Sequence, residues 1–151
     1  MLEREIGAHV ALLTGKDAGA AYASLLALEA ESRESDAVFG WFDDFAAMLA
    51  HKSSFVRMRG LRLVAANAQW DRDGKVDRAL GDYLACVEDP KPIVARQCIQ
   101  HLWLIGEARP DLKPVLKRAL RQADASRYAP SMAPLVEADR NEALDRLLAA
   151  E

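Results

Sequence analysis

The side chains able to do chemistry are few and scattered along the chain. His9, His51 and His101 stand alone, and none falls in the HxxxH or HExxH spacing that sets two imidazoles on one side of a helix around zinc. They read as exposed or hydrogen-bonded helix residues rather than as ligands or general bases. Cys86 and Cys98 lie twelve residues apart inside helical patterns. That spacing fits neither a CxxC site nor a disulfide framework, so both are expected to be small buried hydrophobes. Asp71-Arg72-Asp73-Gly74 starts like a calcium loop, but its glycine comes two residues early and no Glu closes it. A helix-capping turn is the expectation there. Asp43 and Asp44 occupy neighbouring, solvent-facing helix positions. There is no Walker loop, no GxGxxG and no GxSxG, and nothing pairs a general acid with a base. The sequence therefore predicts no enzyme, no cofactor and no metal.

The arginines carry more information. On the segment opening at Ser54, Arg59 and Arg62 are three apart and share a face with Gln69. On the segment opening at Ile93, Gln97, Gln100 and His101 form the comparable polar face, with Arg96 at its edge. If both helices line one groove, these groups meet across it. A guanidinium offers a planar fork of donors, which suits an acidic peptide or a phosphate-bearing ligand. The competing reading is a solvated face laced with salt bridges between helices. Trp41, Phe42, Phe45 and Trp70 are expected in the core, because their spacing fits buried stripes. Trp103 sits close to the polar side of its helix and joins the candidate binding set.

The elements that must position these residues are helices throughout. Alanine and leucine dominate and β-branched residues are scarce, a composition that loses little side-chain freedom in a helix. Apolar residues recur at helical spacing in segments of roughly 12 to 18 residues, broken by Asp, Ser, Gly and Pro. The first runs from Leu2 to Leu13 and the second from Ala18 to Ser32. The third follows a Ser35-Asp36 cap and carries Val38, Phe42, Phe45 and Leu49. The fourth, after Ser53-Ser54, presents Val56, Gly60, Leu61, Val64 and Ala68. The fifth carries Val76, Leu80, Tyr83, Leu84 and Val87, and Asp89-Pro90-Lys91-Pro92 stops it. The sixth spans Ile93 to Ala108. The seventh starts near Pro110 and carries Leu112, Val115, Leu116 and Leu120. The remainder, Ser126 to Glu151, is helical with a bend at Pro130 and Pro134.

Two of these segments repeat. A shift of 38 lays Val56 on Val94, Leu61 on Ile99, Val64 on Leu102 and Ala68 on Gly106. A shift of 36 lays Val76, Leu80 and Leu84 on Leu112, Leu116 and Leu120. A period near 37 with two helices per unit points to a helical solenoid, in which neighbours stack and the ends need polar caps. The clearest units are 54–88 and 92–124, residues 2–14 and 126–151 are the expected caps, and 1–151 forms one domain.

Totals set the outer limits. With 151 residues, half of them apolar, the chain can bury a proper core. A formal charge of -3 gives no basic surplus for general binding to nucleic acid or anionic membranes. No apolar run approaches a membrane span and the first residues lack a secretion signal, so a cytoplasmic address is expected.

The stretches SSFVRMRGLRLVAANAQWD and EDPKPIVARQCIQHLWLIGEARPDLKPVLKRAL resemble HEAT-like repeats: a loop Asp and a proline, then a valine and an arginine opening an apolar helix. Over residues 35–140 the chain is similar to small bacterial HEAT-repeat proteins, some labelled SufBD-like. The resemblance implies an all-α fold, a right-handed α-α superhelix of about four antiparallel helix pairs. It also implies an armadillo-like interaction module whose inner helices open at Ser54 and Ile93. The partner it implies is a protein or acidic peptide, held by Arg59, Arg62, Gln69, Arg96, Gln97, Gln100, His101 and Trp103. In such repeats a loop Asp and a helix Arg form a ladder, a role that falls to Asp89 and Arg96 in one unit. Arg57 and Arg59 compete for it in the preceding unit, where His51-Lys52 replaces the loop Asp. The SufBD label suggests iron–sulfur assembly, for which the chain has no cysteine or histidine cluster. A second implied reading is a nucleic-acid binder related to the HEAT-like DNA-repair glycosylases. Those are longer and basic, whereas this chain is acidic with no obvious catalytic Asp in an aromatic pocket.

Overall fold

Proline and aspartate punctuate the chain as their chemistry requires. Asp17 opens the second helix by accepting from the Ala20 N–H at 3.0 Å, one of the first-turn donors that otherwise lack a partner. The Asp71 carboxylate does more: it accepts from the N–H groups of Asp73, Lys75 and Val76 at 3.0, 3.2 and 2.9 Å. Gly74 turns the chain there at φ +72°, a backbone conformation that costs a residue without Cβ nothing. The segment is the capping turn that its sequence predicts. Pro92 and Pro114 fall in the first turns of their helices, where no N–H is needed.

In a computed structural model, which describes residues 1–149, these signals yield eight α-helices and no strand among the described residues. They are α1 (Glu3–Leu12), α2 (Ala18–Glu34), α3 (Phe42–Met48), α4 (Ser54–Asn67), α5 (Lys75–Ala85), α6 (Pro92–Ala108), α7 (Lys113–Gln122) and α8 (Ala133–Ala149). No described helix is long and apolar enough to cross a membrane. The third helix begins later than the Ser35-Asp36 cap suggests, because a 3-10 turn at Phe39–Trp41 comes first. Similar turns at Ala68–Trp70 and Cys86–Glu88 tighten the ends of α4 and α5. The last two residues of the expected terminal cap lie outside the described residues.

Along the chain α2 packs on α4, α4 on α6 and α6 on α8. In addition α1 packs on α2, α3 on α4 and α5, and α7 on α6 and α8. The core between the helices includes Leu28, Phe42, Phe45, Leu61, Tyr83, Ile99, Leu102 and Leu116, each at most 1% exposed. Close approach of α3 and α4 depends on Gly60, where an added Cβ would come within 2.5 Å of Met48 Cβ and 2.9 Å of the Phe45 carbonyl oxygen. Tyr83 ties α5 to α6, its hydroxyl donating to the Cys98 carbonyl at 3.0 Å.

The internal repeat reappears as a pattern of burial. Val56, Leu61 and Val64 in α4 and Val94, Ile99 and Leu102 in α6, 38 residues on, are all buried. In α5 and α7 the offset is 37 rather than 36: buried Val76, Ala79 and Tyr83 correspond to buried Lys113, Leu116 and Leu120. A lysine therefore stands at a core position of the second unit.

The expected Asp89–Arg96 ladder is not formed. Asp89 instead takes both arms of Arg57, from Nε at 2.7 Å and Nη2 at 3.0 Å, and accepts from the Lys91 N–H. Arg57 also donates to the His51 and Lys52 carbonyls, so it settles the competition with Arg59. Arg96 turns the other way, to Asp139 on α8 at 2.6 Å.

Candidate functional site

The predicted binding residues, on α4, the turn that follows it and α6, divide into three groups. The first is Arg59 alone, which is buried. It is 5% exposed, and Nη1 donates at 2.8 Å to the carbonyl of Leu13 at the end of α1. That carbonyl belongs to a helix C-terminus, where a cation is favoured. Burial lowers the Arg59 pKa, and its Nε has no hydrogen-bond partner. The physical reason is the position of α4, which is enclosed by α2, α3 and α6, so that even its polar positions become interior.

The second group surrounds Arg62. Glu29, 4% exposed on α2, accepts from Arg62 Nε at 3.0 Å and Nη2 at 2.6 Å. Burial alone would lower the Arg62 pKa, but the Glu29 carboxylate outweighs it and holds the value above the ordinary one. Gln97 Oε1 lies 3.5 Å from Arg62 Nη1, and His101 Nδ1 is 2.7 Å from the Gln97 carbonyl. A carbonyl can only accept, so Nδ1 carries the proton. Burial lowers the His101 pKa; the Gln97 carbonyl opposes this and the charge of Arg62 reinforces it. The guanidinium fork of Arg62 is thus already occupied by a carboxylate from its own chain. Next to this group, Gln69 and Trp70 both donate to the Ser32 carbonyl, at 3.2 and 2.7 Å, and stitch α4 to α2.

The third group is the open one, and Trp103 is its centre. The half-buried indole borders three clefts at once. The first, of about 260 Å³ between α6 and α8, is lined by Gln100, Trp103, Asp139, Glu142 and Arg146. The second, about 270 Å³ between α4 and α6, is lined by Ala65, Ala66, Gln69, Trp103, Leu104 and Glu107. The third, about 240 Å³, lies where α7 begins and α8 ends and is lined by Trp103, Glu107, Lys113, Arg146 and Leu147. Arg146 stacks on the ring with its central carbon 3.8 Å from the centroid, a cation–π contact. Among the described residues, neither the Arg146 guanidinium nor the Trp103 N–H makes a hydrogen bond or ion pair.

Of the residues predicted from the sequence, Gln69, Gln100 and Trp103 line these clefts, whereas Arg146, Lys113, Glu107 and Glu142 were not among those predicted. Nothing in the run of α8 distinguishes Arg146 from a solvated cap residue. The cysteines take no part. Both are free and buried; burial pushes the Cys86 thiol up to about 12 and Cys98 well above its ordinary value, so neither is a thiolate nucleophile. No group of three or more His, Cys, Asp or Glu could hold a metal ion among the described residues. The chain matches no protein-family model, no curated protein and no solved structure.

Proposed function

We propose that this chain is a non-catalytic protein-interaction module. In this reading its helix pairs form a HEAT-like right-handed superhelix, and the face of α4, α6 and α8 around Trp103 holds a segment of a partner protein. The observation that carries the reading is the convergence of three clefts on one half-buried tryptophan. Tryptophan and arginine are the residues most often found to dominate binding energy, and here they are stacked and preorganised. The small side chains of Ala65 and Ala66 leave room along one wall for an inserted side chain, while Gln69, Gln100, Glu107 and Glu142 supply a polar rim. Arg59, Arg62 and Arg96 each have a partner within the chain, which weakens the reading as a nucleic-acid binder.

A photo-crosslinking amino acid placed at Gln100 tests this in lysate of the source cell, with and without Trp103→Ala. One or a few proteins crosslinked by the former and lost in the latter are expected. The same crosslinks with and without the indole would refute the reading, as would recovery of nucleic acid alone.

A further inference from the structure

Lys113 is the least expected residue of the candidate face. It begins α7 at the place in the second unit that Val76 holds in the first, and it is only 7% exposed. Its stem packs at the α6–α8 junction: Cγ lies 3.7 Å from where a Cβ on Gly106 would stand, with Leu147 at the same spot. The ammonium makes no hydrogen bond or ion pair among the described residues, yet it is not one of the fully enclosed polar atoms. The opening it meets is the cleft where α7 begins and α8 ends. Arg146, which makes no hydrogen bond or ion pair among the described residues, lines the same cleft and stacks on Trp103. Among the described residues the carboxylate lining this cleft is that of Glu107, which is exposed.

The apolar stem is buried while the ammonium reaches the cleft, so the position puts a charge where a valine or methionine would only pack. The cleft also has the right chemistry for one ligand group. Two cations supply charge-assisted donors, and a carboxylate has two oxygens to receive them. We propose that this cleft is a carboxylate site, which takes an Asp or Glu side chain of the partner segment between Lys113 and Arg146. The site rests on the reading of the Trp103 face as a protein-binding surface, and it supplies that surface's sequence preference. The acidic peptide that Arg59 and Arg62 cannot grip is gripped two helices away.

The test uses the indole N–H resonances of the full chain, with that of Trp103 assigned by its loss in Trp103→Phe. The probes are an acetylated, amidated tetra-aspartate peptide, its tetra-asparagine counterpart and inorganic phosphate. The aspartate peptide is expected to shift the Trp103 resonance saturably and the asparagine peptide is not. Lys113→Met keeps the apolar stem and should weaken aspartate binding about tenfold, the value of one charge-assisted hydrogen bond. Glu107→Gln should tighten binding. Should Lys113→Met fail to fold, Arg146→Gln, an exposed position, carries the same expected loss. Equal shifts from the asparagine peptide overturn the proposal, and so does unchanged binding in folded Lys113→Met. Tighter binding of inorganic phosphate than of the peptide also overturns it. If crosslinking depends on Trp103 but these probes fail, only the carboxylate site falls and the interaction surface stands.

Discussion

Gly60 and Gly81 both sit inside helices, and the structure assigns them opposite responses to the same substitution. A methyl group on a helical glycine ordinarily stabilises by about 1 kcal/mol, through the lower entropy of the unfolded chain. At Gly81 nothing lies within 4 Å of the added carbon, so Gly81→Ala should gain that much. At Gly60 the new carbon would sit 2.5 Å from Met48 Cβ and 2.9 Å from the Phe45 carbonyl oxygen. Neither atom can be moved by rotating a side chain, so α3 must shift bodily off α4. Overpacking of that kind costs about 3 kcal/mol, the upper end of its usual range. Net of the propensity gain, Gly60→Ala should lose about 2 kcal/mol, or about 4 to 8 °C in Tm for a chain of this size. Gly106→Ala should fall between the two, because its closest contact is the tip of Leu147 at 2.7 Å, which can rotate away. Thermal melts followed by circular dichroism should rank the proteins Gly81→Ala, wild type, Gly106→Ala, Gly60→Ala. A Gly60→Ala protein melting at or above wild type would refute the close packing of α3 on α4.

Two further predictions concern buried charge. Asp89→Ala removes the acceptor for Arg57 and the Lys91 N–H and strands a guanidinium whose side chain is 15% exposed. A loss of about 3 kcal/mol is expected in urea unfolding, near the lower end for a broken buried pair because Arg57 keeps two backbone carbonyls. A loss below about 1 kcal/mol would show that the pair is only a surface ornament. For His101 the folded-state pKa lies below the ordinary 6.5, so between the two values the unfolded chain binds more protons. Stability should therefore fall as pH drops through 6.5, and His101→Gln should flatten that part of the profile. An identical pH profile in the variant would mean that the imidazole titrates freely.

Helix content and most punctuating turns were legible in the sequence, because Asp71 and Pro92 act on their near neighbours, although Pro110 opens a 3-10 turn rather than the seventh helix itself. The side of each helix that meets solvent was harder to read. Arg59 and Arg62 look alike on a helical projection, yet α4 is enclosed from three sides and one of the two is wholly interior. The partner of Arg62 is Glu29, 33 residues away, and no local rule connects them. Lys113 gave no signal, because at the offset of 36 read from the sequence it falls on Asp77, and only at 37 does it take the place of Val76. Trp103 stood out because it departs from the apolar stripe of its helix, whereas Arg146 gave no such signal.

The links between helices also bear on how the chain folds. Among the described residues no side-chain hydrogen bond spans more than 46 positions, the distance from Leu13 to Arg59. Most of those joining one helix pair to the next span between 32 and 43, as in Arg57–Asp89, Arg62–Glu29 and Arg96–Asp139. Closure entropy grows only with the logarithm of loop length, so each such link costs nearly the same to form. The chain ends need not find each other before the rest can assemble. In the superhelix proposed above, folding should therefore start at whichever helix pair docks first and spread outward.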